Sequence, residues 1–182
     1  MEGVMMFNRE ELRVLTLLDE CILRPPVRRA VEEIILRVEG KLSGDPTASM
    51  AWEPLPLSLY EGRLPAMIRS SWVFILRAGS VSGAERHPNS HQRMAAFRGM
   101  GDLQVQLDNQ WTSNFLTDAW SAPITQRWVS IPVNVWHQAV VPDKDWVVVS
   151  FHTVPAEQLI EERPDSNDRM TTRQRLYLGT GK

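Results

Sequence analysis

The sequence predicts a mainly β domain that follows a pair of α-helices. Apolar residues recur at helical spacing through the first forty residues, and a stretch rich in proline and glycine follows without any sustained period. Short β-type runs separated by turn residues then take over. These observations divide the chain into an N-terminal helical segment with its connector (1–50), a β-barrel (51–160) and a polar C-terminal tail (161–182).

The first helix has a clear start. Asn8 is a capping residue, Glu11 stands where it completes a capping box, and Phe7 can pack onto Leu12. We therefore expect the helix to begin at Arg9 and to end before the sequence RPP, because a proline disfavours helical geometry in the residue before it.

The second helix begins at this proline pair, where Pro26 suits the first turn. Gly40 is a good C-terminal glycine, so we expect the helix to end there. Its apolar stripe indicates ordinary packing and consists of Val27, Val31, Ile34, Ile35 and Val38.

The β region contains five clear candidate strands. They read SWVFILRAG, DLQVQL, QRWVSIP, WHQAVV and DWVVVSFHTV. In DLQVQL, leucine and valine alternate with glutamine, as in a strand with one apolar and one polar face. Barrels and jelly rolls bury such strands without exposed edges. The polar segment after residue 160 is expected to be a mobile tail or an arm on a partner.

Composition limits the functions that this chain can have. The 182 residues are 43% hydrophobic with a formal net charge of −2, so there is no general attraction to nucleic acid or to acidic membranes. The single cysteine, Cys21, excludes an internal disulfide. Because neither a signal peptide nor a membrane-spanning run is evident, we expect a cytoplasmic protein with no nucleic-acid or membrane partner.

All four histidines fall in the β region, at positions 87, 91, 137 and 152. Imidazole is the commonest protein ligand of divalent transition metals, and ligands near one turn joined by another from a distant strand form a preorganised pocket. If residues 85–87 are extended, Glu85 and His87 point to the same face. The alternative is a solvated turn in which Glu85 pairs with Arg86 or Arg93.

A first motif consists of Gly79, Glu85-x-His87, Gln92 and Gly99. Its spacing is that of the motif G(X)5HXH(X)3,4E(X)6G, so the chain resembles the cupin superfamily. The chain departs from it at two ligand positions, because Glu85 stands in place of a histidine and Gln92 in place of the glutamate.

The second motif also keeps the register of the family. Pro132-x-Asn134, two residues and His137 match its spacing, and asparagine is a good replacement where glycine adopts a left-handed conformation. Val141 and Gln126 depart from the family's closing asparagine and opening glycine. The resemblance implies a cupin-type double-stranded β-helix, a jelly-roll barrel.

The resemblance also implies a metal site. With the shorter gap that the motif allows, His91 replaces Gln92 at the glutamate position, and the ligand set becomes Glu85, His87, His91 and His137. We prefer this set because a carboxamide is a weak donor. Iron, zinc, nickel and manganese all suit it.

Other polar residues are candidates for contacts with a substrate. They are Gln92, Arg98, Gln104 and Gln106. His152 lies in an apolar strand pattern, so we interpret it as a core histidine and not as a ligand. Trp136, next to His137, is expected to lie outside the barrel.

These features lead to three functional hypotheses. The first is a metal-binding enzyme that acts on a small organic molecule inside the barrel, with dioxygenase-like chemistry favoured. The second is an isomerase, epimerase or lyase of a sugar or acid, with Glu85 or His87 as general base. The third is a metal-free binding or sensor module. By resemblance to cupins, a homodimer is expected.

Overall fold

The computed structural model describes residues 7–165 and 171–178. The rest, including part of the predicted tail, lies outside the described residues. The helices are α1 (Arg9–Leu23) and α2 (Pro25–Gly44). The strands are β1 (Met50–Pro54), β2 (Ser70–Leu76), β3 (Gln92–Arg98), β4 (Met100–Leu107), β5 (Gln110–Thr112), β6 (Phe115–Thr117), β7 (Trp128–Ile131), β8 (His137–Val140), β9 (Trp146–His152), β10 (Ile160–Pro164) and β11 (Thr172–Leu176).

The helix pair forms as the sequence predicts, apart from one boundary. The side chain of Asn8 accepts a hydrogen bond from the backbone N–H of Glu11 at 2.8 Å, which fixes the start of α1 at Arg9. The expected end of α2 at Gly40 is wrong, because the helix continues to Gly44. Leu42 is buried and extends the apolar stripe by another turn. Neither helix is long and apolar enough to cross a membrane.

Nine of the described strands form two packed antiparallel sheets, and β10 and β11 form a separate pair. One has the order β1-β2-β9-β3-β7. In the other, β4 pairs with β5, β6 and β8, and the segment 81–86 adds isolated bridges to β8. Several neighbouring strands, such as β2 and β9 or β4 and β8, are distant in sequence, as a jelly roll requires. All five strands predicted from the sequence form, as β2, β4, β7, β8 and β9.

The larger sheet separates two apolar cores. Alternate residues of β9 face opposite ways, so Val147 and Val149 pack beneath the helices and Val148 packs inside the barrel. In β2 and β9 every residue is buried. The helix pair therefore covers the outer face of this sheet and leaves its inner face to line the barrel.

Buried ion pairs connect α1 to the sheet. Arg127 donates two hydrogen bonds to Asp19, at 2.6 and 2.7 Å, and the indole N–H of Trp128 donates a third at 2.7 Å. About two turns earlier on the same face, Glu11 accepts two hydrogen bonds from Arg93, at 2.7 and 2.8 Å. These contacts fix the position of α1 on the sheet.

The C-terminal segment differs from the expected mobile tail, because β10 and β11 pair as an antiparallel hairpin. Ion pairs of Glu161 help to hold this hairpin together. Its side chain is 1% exposed and accepts hydrogen bonds from Arg163 at 2.7 Å and from Arg175 at 3.0 Å. The polar composition of the segment therefore reflects paired charges as well as solvation.

Replacing Asp19 with alanine tests the contacts of α1. Because the change leaves the Arg127 guanidinium buried without its partner, we expect the free energy of unfolding to fall by about 3–5 kcal/mol. Urea denaturation would measure the loss. Glu20→Ala is the matched control: Glu20 is the next residue and is exposed, so it should change stability by less than about 0.5 kcal/mol. Equal losses in the two variants would contradict the assignment.

Candidate metal centre

Glu85 and His137 lie opposite each other on neighbouring chain segments. Their backbones exchange two hydrogen bonds, of 2.9 and 2.8 Å, so their side chains share one face of the sheet. His87, two residues after Glu85, projects to that face as well. Ligand atoms of the three side chains lie within 4.8 Å of one another. The structure therefore brings three of the four predicted ligands together inside the barrel.

Both histidines of this group use Nδ1 to bond a backbone carbonyl. His87 Nδ1 lies 2.8 Å from the carbonyl oxygen of Ile160, and His137 Nδ1 lies 3.1 Å from that of Val135. A carbonyl only accepts, so Nδ1 donates in each ring, and the neutral form of such a ring has its lone pair on Nε2. Nε2 of His137 is buried and has no hydrogen-bond partner among the described residues. This is the arrangement that histidines adopt around a metal.

Glu85 is held as a carboxylate. Its Oε2 accepts a hydrogen bond from Arg163, and its Oε1 lies 3.5 Å from Nε2 of His137. Burial alone would raise the pKa of Glu85, but the neighbouring His137 and Arg163 outweigh it and lower the pKa to about 2. Burial, assisted by the charges of His137 and Arg163, lowers the pKa of His87 to about 4. Near neutral pH the site therefore offers an anionic oxygen and a neutral His87 ring.

These donors fit a divalent transition metal. Two imidazole nitrogens and one carboxylate form the 2-His-1-carboxylate set, which leaves positions open for other ligands. The unpartnered Nε2 of His137 supports this fit, because a buried polar atom without a partner costs free energy unless a ligand satisfies it.

A small cavity surrounds the group. Its free interior volume is about 40 Å³, whereas sites for drug-sized ligands measure roughly 300–1,000 Å³. Apolar side chains such as Phe74, Met94 and Leu103 form much of the wall. The cavity therefore suits a metal ion with a small ligand.

The turns that carry the motifs have the backbone conformation that the motifs require. Gly79 and Gly99 have φ values of 70° and 81°, and Asn134, at the second motif's glycine position, has φ 68°. Together with the jelly-roll strand order, this decides the fold. The chain has a cupin-type jelly-roll fold. The resemblance drawn from the motif spacing is thus confirmed at the level of fold.

Similarity to known proteins is found among solved structures. No protein-family model matches the chain, and no curated protein matches it either. Among solved structures, an oxalate oxidase in complex with the substrate analogue glycolate is 13% identical, and the match covers 59% of this chain and 52% of that chain with a TM-score of 0.46. Recombinant pro-11S globulin of pumpkin is 17% identical, with 64% and 28% covered and a TM-score of 0.49. The match to oxalate oxidase thus spans about half the length of that enzyme.

The structure corrects the fourth predicted ligand. His91 lies on the helix side of the sheet, where its Nε2 is 2.7 Å from the Ser130 hydroxyl and 3.9 Å from Glu11. Gln92 instead lines the cavity. Because successive side chains of a strand alternate between its faces, only one of these two neighbours can enter the barrel. Gln92 therefore occupies the position of the cupin glutamate.

Three of the four predicted substrate contacts lie away from the cavity. A register shift between Ala96 and Arg98 turns Arg98 towards Glu32 of α2, with which it forms an ion pair. Gln104 bonds Gln138 and Asp102, and Gln106 lines a separate surface groove. Of the four, Gln92 alone lies at the cavity, and no residue in the described part of the chain forms a hydrogen bond with its buried Oε1.

His152 and Tyr177 also line the cavity, and neither was among the predicted site residues. His152 is a buried histidine, as expected, but its ring also lies 5.1 Å from that of His87 and lines the cavity. It has the same parity in β9 as Val148, which packs inside the barrel, so alternation along the strand could have placed it there. Tyr177 belongs to the segment expected to be a tail, and no pattern in the sequence indicated its position.

The lowered pKa of His87 predicts a loss of stability in acid. The unfolded chain takes up a proton at this ring near pH 6.5, whereas the folded chain does so only near pH 4. The free energy of unfolding should therefore fall as pH drops through this window, by on the order of 2 kcal/mol between pH 7 and pH 4.5 from this group. Urea denaturation of metal-free protein measures the slope. It should be shallower in His87→Gln, and an unchanged slope would contradict the assignment.

Proposed function

We propose that Glu85, His87 and His137 bind a divalent transition metal and that the protein is a metal-dependent enzyme acting on a small organic molecule inside the barrel. One observation carries the proposal: two imidazole rings with their Nδ1 atoms bonded to carbonyls, and a buried carboxylate, converge within 4.8 Å. We favour iron and oxygenase chemistry, because this donor set with open positions is typical of non-haem iron oxygenases.

The metal, when bound, would supply Lewis acidity and, in the case of iron, redox chemistry with dioxygen. The surrounding residues of the protein orient the side chains that would hold the metal. Arg163 fixes one oxygen of Glu85, which leaves Oε1 directed towards His137. The carbonyls of Ile160 and Val135 fix the orientation of the two rings. Such outer contacts make the ligands rigid and keep the correct tautomer.

The electrostatics favour a ligand role for Glu85 over a role as general base. A general base works best with a pKa near the operating pH, and the pKa of Glu85 is lowered to about 2. Such a weakly basic carboxylate is a poor acceptor for a substrate proton. An anion that stays deprotonated over a wide pH range is, however, well suited to hold a cation.

The walls of the cavity indicate the kind of molecule that would bind. The apolar side chains favour a small, largely apolar body and exclude water. Gln92 adds one polar contact, because its unpartnered Oε1 can accept a hydrogen bond from an O–H or N–H group. Small carbonyl and thiol compounds are the first substrates to test.

Metal content tests the proposal directly. Protein purified without an affinity tag and incubated with iron should bind about one ion per chain, measured by elemental analysis after gel filtration. His87→Ala and His137→Ala should each lose most of it, because each removes a ligand. His91→Ala is the matched control and should keep the metal, since His91 lies on the opposite face of the sheet.

Two results would contradict the proposal. One is wild-type protein that stays free of metal after incubation with iron, zinc, nickel and manganese. The other is equal metal content in His91→Ala and His137→Ala. If iron binds, oxygen uptake that depends on an added small carbonyl or thiol compound would support the oxygenase assignment.

The expected homodimer and the division of the chain into three segments remain predictions.

A further inference from the structure

Tyr177 lies between the two sheets on one side of the cavity. Its ring centre is 5.3 Å from that of Trp52 and 5.7 Å from that of Trp72, which belong to β1 and β2 at one edge of the larger sheet. It is also 6.0 Å from the ring of His87, which follows the segment 81–86 of the other sheet. Tyr177 thus contacts both walls and lines the cavity.

The hairpin of β10 and β11 holds Tyr177 in this position. Arg86 and Glu162 exchange two backbone hydrogen bonds, of 3.0 and 2.9 Å, which join β10 to the segment 81–86. Tyr177 N–H donates to the carbonyl of Leu159 at 2.7 Å. The neighbours Leu176 and Leu178 are 50% and 42% exposed. Of these three consecutive residues, Tyr177 is the one whose side chain enters the barrel.

The rings around Tyr177 would not fill the space if its side chain were removed. Trp52 and Trp72 pack edge to face, with ring centres 5.0 Å apart, and Trp72 is fully buried. Packed aromatic rings of this kind relax only partly around a deleted side chain, so a cavity remains. The size of the cavity therefore depends on Tyr177.

We infer that Tyr177 is a specificity-determining residue of the candidate site: its ring closes the cavity between the two sheets and limits the bound molecule to a small one. The nature of the bound molecule rests on the proposed function. The closure itself rests on the ring contacts, which need no metal.

Histidine labelling of metal-free protein tests the closure. Diethyl pyrocarbonate modifies accessible neutral imidazoles, and mass spectrometry of peptides gives the rate at each position. His87, His137 and His152 are 1–3% exposed, whereas the side chain of His91 is 26% exposed on the other face of the sheet. In Tyr177→Ala the three cavity histidines should react about tenfold faster or more, with the His91 rate unchanged.

Three further variants make the labelling decisive. Tyr177→Phe keeps the ring and should behave as wild type. Leu178→Ala removes a neighbouring large apolar side chain that points to solvent, and it should also leave the rates unchanged. General unfolding of Tyr177→Ala would raise the labelling rate of His91 as well as the rates of the cavity histidines. In that case Tyr177→Leu replaces it, and this variant should give a smaller increase at the cavity histidines with the His91 rate unchanged. Equal cavity rates in wild type and both smaller variants would overturn the inference.

Binding to cobalt(II)-loaded protein tests the size limit. Formate and benzoate carry the same carboxylate but differ in size, and the visible spectrum of cobalt reports a new ligand. Formate should change the wild-type spectrum and benzoate should not, whereas both should change the spectrum of Tyr177→Ala. A wild-type response to benzoate as strong as that to formate would overturn the size limit. Failure of cobalt to bind would count against the proposed metal site, and the labelling would still decide the closure.

Discussion

The burial of the larger sheet on both faces is the constraint on which the rest of the structure depends. A strand between two apolar cores must send alternate side chains to each, so a shift of one position moves a residue from the barrel to the helices. The helix pair is needed for the same reason, since without it a row that includes Val147 and Val149 would face water. The N-terminal helices therefore stabilise the barrel by burying the outer face of its larger sheet.

The polar contacts beneath α1 follow from this arrangement. Charged groups lie on the outer face of a buried sheet only because α1 supplies partners, Glu11 for Arg93 and Asp19 for Arg127. Ion pairs of this kind contribute little net stability compared with apolar packing, but an unpaired member is costly. These ion pairs therefore favour one position of α1 on the sheet over positions shifted along or around it. A uniformly apolar interface would not distinguish between such positions.

Much of this structure was predictable from local patterns. The helices and the main strands follow from periodicity and capping, which are properties of short stretches. The group of Glu85, His87 and His137 was implied by the resemblance of two motifs to the cupin superfamily. The choice between His91 and Gln92 needed the exact start of β3, and spacing alone does not give it because both residues fit the motif. Tyr177 depends on how a polar hairpin packs against distant strands. Its role is therefore visible only in the folded chain.

The hairpin connects access to the site with the alignment of the ligands. The carbonyl that orients His87 belongs to Ile160, and the guanidinium that holds Glu85 belongs to Arg163, both on β10. Tyr177, which closes the cavity, follows β11 of the same hairpin. Any displacement that moved this hairpin away from the barrel would remove outer contacts from two of the three proposed ligands at once. The alignment of the proposed ligands and the closure of the cavity therefore depend on the packing of the same hairpin.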